Sequence, residues 1–238
     1  MNFYTSTQNK LHSRDEINAI KKLDKSVLKE DYHRLEIFAV NLLYKFGKKM
    51  TNRQRVLSTA AVYLKRFYLY NNYLETDLYL VIITSLYVSS KVEELPISIR
   101  LLSSEGNKYF STGYTPQSIG KMEFSLISDL DCELIIHHPL LNQFQIDDNI
   151  KSLCYYILND IYKTNLLLLY QPFYIAIAII TFAYSTQSQQ SQPIKLLSEL
   201  NCELSTVYDI TQQIHSFYSL LPSINDDSLK LLYLNSHL

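Results

Sequence analysis

Apolar positions along this chain recur mostly three or four residues apart, and few stretches show the strict alternation of a half-buried strand, so the pattern predicts an all-helical protein. The periodicity places helices at about 14–22, 31–46, 53–70, 77–92, 116–131, 149–164, 172–185, 193–200, 204–220 and 226–234. In the fourth of these, Leu78, Val81, Ile82, Ser85, Leu86 and Ser89 form one stripe, yet Ile83, Tyr87 and Val88 load the other side with apolar groups. A helix apolar on most sides is expected at the centre of its domain.

Breaks between helices are easy to place, because the chain has only 4 glycines and 6 prolines and nearly all fall between periodic segments. Thr115-Pro116 reads as an N-cap followed by proline at the first helical position, where the missing N–H costs nothing. Gln171-Pro172, Gln192-Pro193 and Leu221-Pro222 repeat the signal, and Gly47 is expected to terminate the helix before it. Ser103 to Tyr114, rich in Ser, Gly and Asn, and the Gln/Ser run Thr186 to Gln192 read as solvated loops.

An internal repeat divides the chain. Asn41-Leu42-Leu43-Tyr44-Lys45 returns as Asn159-Asp160-Ile161-Tyr162-Lys163 at a spacing of 118, and the same offset sets Ala60 on Ala178 and Leu64 on Phe182. Each half thus carries a helix followed by a second with a small residue at mid-length, where helices can approach closely. Two similar helical domains are expected.

Composition narrows the function classes. At 238 residues and 47% hydrophobic, the chain can bury one large core or two smaller ones. A net charge of −1 offers no uniform field for nucleic acid, which disfavours DNA binding. Cys132, Cys154 and Cys202 are odd in number, far apart, and without the close partners a zinc site needs, which suits a reduced compartment. The N-terminus lacks a basic, then apolar, leader pattern, so secretion is not expected. The most apolar stretch, Leu166 to Tyr184, is broken by Gln171-Pro172 and reads as a buried helix pair rather than a membrane span.

The strongest candidate for function is polar. Ser90-Lys91-Val92-Glu93-Glu94 closes the most apolar helix, and Glu123 lies on the next predicted one. A helix-on-helix fold can bring Lys91 and Glu123 together as a two-signed patch in apolar surroundings, which reads as a docking site. The plainer alternative is a surface salt bridge worth under about 1 kcal/mol. Other candidates are weaker. His137-His138 precedes Pro139 and lacks further ligands at metal spacing, so a packing role is expected and no metal. No glycine-rich phosphate loop and no nucleophile with its base appear. Arg53 and Arg55 beside Lys48-Lys49 read as a solvated helix start, with an anion or partner contact as the alternative. The 20 tyrosines read as core and interface material.

These residues resemble the cyclins, over about 30–220. Arg53-Gln54-Arg55-Val56 through Ala60 to Tyr68 looks like the second helix of a first cyclin box, and Ser89-Ser90-Lys91-Val92-Glu93-Glu94 like the end of its third. Ile157 to Lys163 and Leu168 to Ala176 resemble most closely the second box of the cyclin C branch, with the cyclin H branch as competitor. The resemblance implies two tandem five-helix boxes behind a short N-terminal helix: an N-terminal segment 1–30, a first box 31–145 and a second box 146–238. It implies a non-catalytic nuclear subunit, without cofactor, that activates the cyclin-dependent kinase of the Mediator kinase module and meets other subunits of that module. By position, Lys91 and Glu123 would hydrogen-bond near the kinase C-helix, with Val92, Cys132 and Leu134 as neighbouring apolar contacts. Leu35-Glu36-Ile37-Phe38-Ala39 stands where cell-cycle cyclins carry a substrate-capturing patch, and its acidic second residue argues against that use. A kinase-independent tandem-cyclin-fold transcription adaptor is the other class, which would be expected to show a basic DNA-facing surface and an N-terminal zinc ribbon.

Overall fold

The computed structural model describes residues 11–17, 29–51, 53–73, 75–187, 202–221 and 233. These are helical with short connections, and no strand occurs among them. They fall into two compact units, one within Arg14–Ile136 together with Tyr233, the other within His137–Ile224 together with residues 11–13.

The first unit is built from α1 (Lys29–Met50), α2 (Gln54–Tyr70), α3 (Leu78–Val92), α4 (Ile99–Phe110) and α5 (Pro116–Asp129). The all-round apolar α3 packs against each of the other four, and Leu78, Val81, Ile82, Ile83, Leu86 and Val88 are all buried. Burying such side chains stabilises by roughly 1.5–3 kcal/mol apiece. Asp77 starts α3, its carboxylate accepting from the backbone N–H groups of Tyr79 and Leu80 at 3.1 and 3.2 Å. Thr115 starts α5 in a capping box: Ser118 N–H donates to Thr115 Oγ1 at 3.1 Å and Thr115 N–H to Ser118 Oγ at 3.0 Å, with Pro116 in the first turn.

The second unit holds a 3₁₀ turn (Leu141–Gln143), α6 (Asp148–Ile161), α7 (Leu166–Leu169), α8 (Pro172–Thr186) and α9 (Leu204–Leu220). Here α8 is the hub, packed on α6, α7 and α9. The repeat is visible in three dimensions: Asn41 and Asn159 lie on α1 and α6, and the fully buried Ala60 and Ala178 on α2 and α8. Gln171-Pro172 does break the apolar stretch into two helices. Among the described residues no helix is long and apolar enough to cross a membrane. The helices expected at 193–200 and 226–234 and the run after Gln187 lie outside the described residues, apart from Tyr233, which is helical. Of the N-terminal helix expected at 14–22, residues 14–17 are described and are helical.

Two expectations are overturned. Ser103 to Tyr114 is not a solvated loop: most of it belongs to α4. Its polar residues bond to the chain that follows. Ser103 Oγ and Asn107 Nδ2 donate to the Tyr114 carbonyl at 2.7 and 2.8 Å, and Tyr114 N–H donates to Asn107 Oδ1 at 2.7 Å. Gly106 allows α4 to lie against α3, since a Cβ there would stand 2.5 Å from Ile83 Cδ1. Tertiary packing thus overrides poor helix propensity. Gly47 does not end α1 either; it lies inside the helix, where a Cβ would meet Leu57 Cδ2 at 2.4 Å. It is a contact glycine, not a cap.

Tyrosines fill much of the first core. Tyr68 stacks on Tyr73 at a centroid distance of 3.7 Å, and Tyr32 OH donates to the Tyr68 carbonyl at 2.7 Å. Burial pushes the pKa values of Tyr63, Tyr68 and Tyr73 above the ordinary tyrosine value.

Two outcomes are expected. Gly106→Val should lower stability by about 1–3 kcal/mol through overpacking against Ile83, measurable by urea denaturation. The tyrosines set an alkaline limit. Their folded-state pKa values exceed the unfolded one, so their contribution is complete below about pH 10 and is lost as pH rises further, at about 1.4 kcal/mol per tyrosine per pH unit. Circular dichroism against pH should be flat to about pH 9 and fall steeply above about pH 10, with phenolate absorbance rising in step.

Candidate functional site

The last turn of α3 is where this central helix meets water. Lys91 Nζ bonds Glu123 Oε1 on α5, and the same ammonium lies 4.4 Å from the centroid of the Tyr87 ring one turn earlier on α3. The Lys91 side chain is 40% exposed and that of Glu123 16%, so the pair sits at the surface with its acid the better shielded member. Phe124, beside Glu123 in sequence, is 79% exposed.

Both helix ends at this surface turn on left-handed residues. Glu94 has φ 57°, and Leu95 N–H closes back to the Ser90 carbonyl at 2.8 Å. After α5, Asp131 and Cys132 have φ 52° and 59°, and Cys132 N–H donates to the Ile127 carbonyl at 3.0 Å. Such wrap-around bonds satisfy the orphan carbonyls of the last turn.

α2 fastens both ends. Arg55 Nε contacts Glu93 Oε2 at 2.5 Å, and Thr59 Oγ1 donates to Glu93 Oε1 at 2.6 Å. Four residues on, Tyr63 OH donates to the Leu134 carbonyl, and Arg66 donates to the Glu133 carbonyl at 3.3 Å. Asn71, just past α2, donates to Asp129 Oδ2 at 2.9 Å. Desolvation, reinforced by the nearby Glu93 carboxylate and opposed by Arg66, raises the Tyr63 pKa, so its hydroxyl stays a donor at neutral pH.

Of the residues singled out by sequence, Lys91 and Glu123 are brought together directly. Val92 is half-buried at the end of α3. Cys132 is exposed and Leu134 half-buried in the segment after α5. Helix α4 intervenes in sequence between the two halves of the pair, so Glu123 does not lie on the next helix after Lys91, as had been expected. The sequence assigns no role at this surface to Tyr87, Arg55, Thr59, Tyr63 or Arg66, nor to Glu93 within the Ser90–Glu94 motif. Tyr87 had a usable signal, its four-residue spacing from Lys91; the hydrogen bonds from α2 leave no trace in periodicity. The basic cluster at 48–55 divides, with Arg55 committed to Glu93 and Lys49 Nζ lying 4.4 Å from the Tyr109 ring centroid.

The remaining candidates have structural places. His138 Nδ1 lies 2.6 Å from Tyr162 OH, a packing contact in the second unit. Among the described residues no group of His, Cys, Asp and Glu converges as a metal site. The three cysteines are unpaired, and burial pushes the Cys154 thiol up to about 11, which keeps it protonated and inert. Leu35, Glu36, Ile37, Phe38 and Ala39 are all buried, so this stretch offers no face to a substrate motif.

Comparison with known proteins agrees with this architecture. Residues 2–135 match the family "Cyclin, N-terminal domain". A protein of Aspergillus terreus called "RNA polymerase II holoenzyme cyclin-like subunit" is 35% identical over 208 residues, covering 80% of this chain and 69% of that protein. The protein of the same name from Aspergillus fumigatus is 36% identical over 76% of this chain and 66% of its own length. "Cyclin-C" of Drosophila pseudoobscura pseudoobscura is 30% identical over 239 residues, covering 92% of this chain and 89% of the relative. Among solved structures, a chain of the yeast RNA Pol II CTD kinase CTDK-1 complex superposes with a TM-score of 0.74 at 16% identity, over 88% of this chain and 73% of that one. A chain of the yeast TFIIK complex gives 0.70 at 17% identity, over 91% and 99%. At such identities the structural likeness speaks for the fold alone, whereas the family match and the sequence relatives decide membership: the chain belongs to the cyclin family.

Proposed function

We propose that this cyclin is the regulatory subunit that binds and activates the cyclin-dependent kinase of the Mediator kinase module, and so regulates transcription by RNA polymerase II in the nucleus. The observation that carries the reading is the Lys91–Glu123 pair, held at the water-facing end of α3 with the Lys91 ammonium over the Tyr87 ring. Relatives at 30–36% identity bear the names Cyclin-C and RNA polymerase II holoenzyme cyclin-like subunit, which supports a transcriptional rather than a cell-cycle role.

In this reading the chain does no chemistry. The first box, 31–145, presents a rigid surface to the kinase C-helix: Lys91 and Glu123 bond to it, and Val92, Cys132 and Leu134 shed water around those bonds. Held inward, the helix brings its glutamate to the ATP-orienting lysine and completes the active site. Activation is a shift of the kinase population toward that state.

The test exchanges the charges. In a Lys91→Glu, Glu123→Lys double variant the two side chains still attract one another, so the chain should keep the circular dichroism and melting temperature of the wild type. Binding to a Mediator-type kinase should weaken by about 2–5 kcal/mol, at least roughly 30-fold, with loss of activation, measured by co-purification and peptide phosphorylation. Unchanged binding by the variant would overturn the docking residues; failure of the wild type to bind would overturn the kinase-subunit reading.

A further inference from the structure

An open pocket of about 300 Å³ is lined by Phe46, Lys49 and Met50 of α1 and Glu105, Lys108 and Tyr109 of α4. None of these residues belongs to the Lys91–Glu123 surface. The apolar side of the pocket is firmly built, since the Phe46 ring packs against those of Tyr109 and Phe110 at centroid distances of 5.5 and 5.2 Å. Its polar side is basic. Lys49 Nζ lies 4.4 Å from the Tyr109 ring centroid, while Lys108 Nζ bonds Glu105 Oε1 at 2.6 Å, leaving two ammonium groups against one carboxylate.

Lys45, one turn before Lys49, and Lys48 are also exposed on α1, and exposed Arg53 precedes α2. A free inorganic anion could meet the lysines but would leave the half-buried Met50 and Tyr109 wet. An apolar side chain could cover these two but would leave the lysines unmatched.

We propose that this pocket binds a short acidic peptide segment of a partner protein, which seats one apolar side chain against the half-buried Met50 and Tyr109 while flanking carboxylates meet Lys49 and Lys108. Charge-assisted N–H···O bonds to carboxylates fix the segment, and the apolar side chain covers Met50 and Tyr109. Because the lysines stand at an exposed rim, their attraction acts strongly on the rate of encounter and weakens with salt. The Lys91–Glu123 surface stays open, so a kinase and this second partner can be held at once.

The test uses the full chain and two labelled hexapeptides: one with a single phenylalanine among aspartates and glutamates, the other with lysines in place of every acid. Fluorescence anisotropy should give saturable binding of the acidic peptide alone, weakening as salt rises. Lys49→Glu with Lys108→Glu should weaken it at least tenfold or so, whereas Glu105→Gln, which removes the competing carboxylate and releases Lys108, should tighten it. Circular dichroism of each variant should match the wild type; if the double variant unfolds, Lys49→Gln alone must weaken the same peptide. Equal affinity for both peptides, no effect of the lysine changes, or no saturation by about 1 mM would overturn the proposal. So would displacement by sodium phosphate or free glutamate at the peptide's own concentration, which would mark a simple anion site.

Discussion

A helix apolar on nearly every side can persist in water only if other helices enclose it, and the first unit is arranged around that demand by α3. Its neighbours α1, α2, α4 and α5 each cover part of its circumference. Three of the small polar residues along it bond within the helix, Thr84 Oγ1 to the Leu80 carbonyl at 2.8 Å, Ser89 Oγ to Leu86 at 3.0 Å and Ser90 Oγ to Tyr87 at 2.7 Å, whereas the buried Ser85 hydroxyl finds no partner among the described residues. Small side chains also let the surrounding helices come near. The final turn runs out into water, and there the chain sets Lys91. The position of the candidate docking surface is thus a by-product of core burial, with the charge standing where the enclosing helices run out.

The parts of this fold that could be read from sequence are those in which one strong local signal dominates. The apolar load on Leu78 to Val92, the proline signals at Pro116 and Pro172, and the repeat that aligns Ala60 with Ala178 are each carried by a few neighbouring residues. α4 was illegible for the opposite reason. Ser103, Gly106 and Asn107 are poor helix formers, and what holds them helical is a glycine-sized gap against Ile83 and hydrogen bonds to Tyr114, neither of which leaves a period in the sequence. Gly47 misled in the same way, because a glycine at a close contact and a glycine at a helix end look alike in one dimension.

The candidate site divides along the same line. Lys91 and Glu123 stand out because opposite charges near apolar helices are conspicuous and because the neighbouring residues resemble a cyclin box. The groups that hold those two helices in register are hidden. Arg55 to Glu93 and Tyr63 to Leu134 join residues 38 and 71 positions apart, and no periodicity in the sequence links the two ends of either bond. The Arg53–Arg55 pair looked like a single basic cluster, yet one arginine is committed to an acid far along the chain while nearby Lys49 lies over an aromatic ring.

Arg55, Thr59, Tyr63 and Arg66 lie along one face of α2, spaced by four, four and three residues, and between them they fix the segments following both α3 and α5. None of these ties depends on anything outside the first unit. The surface therefore has its final shape before any encounter, and a partner that settles on it need not wait for this chain to reorganise. The ordering entropy of association then falls on the other molecule. In the proposed pairing with a kinase, that asymmetry makes this subunit the template and its partner the material that is shaped.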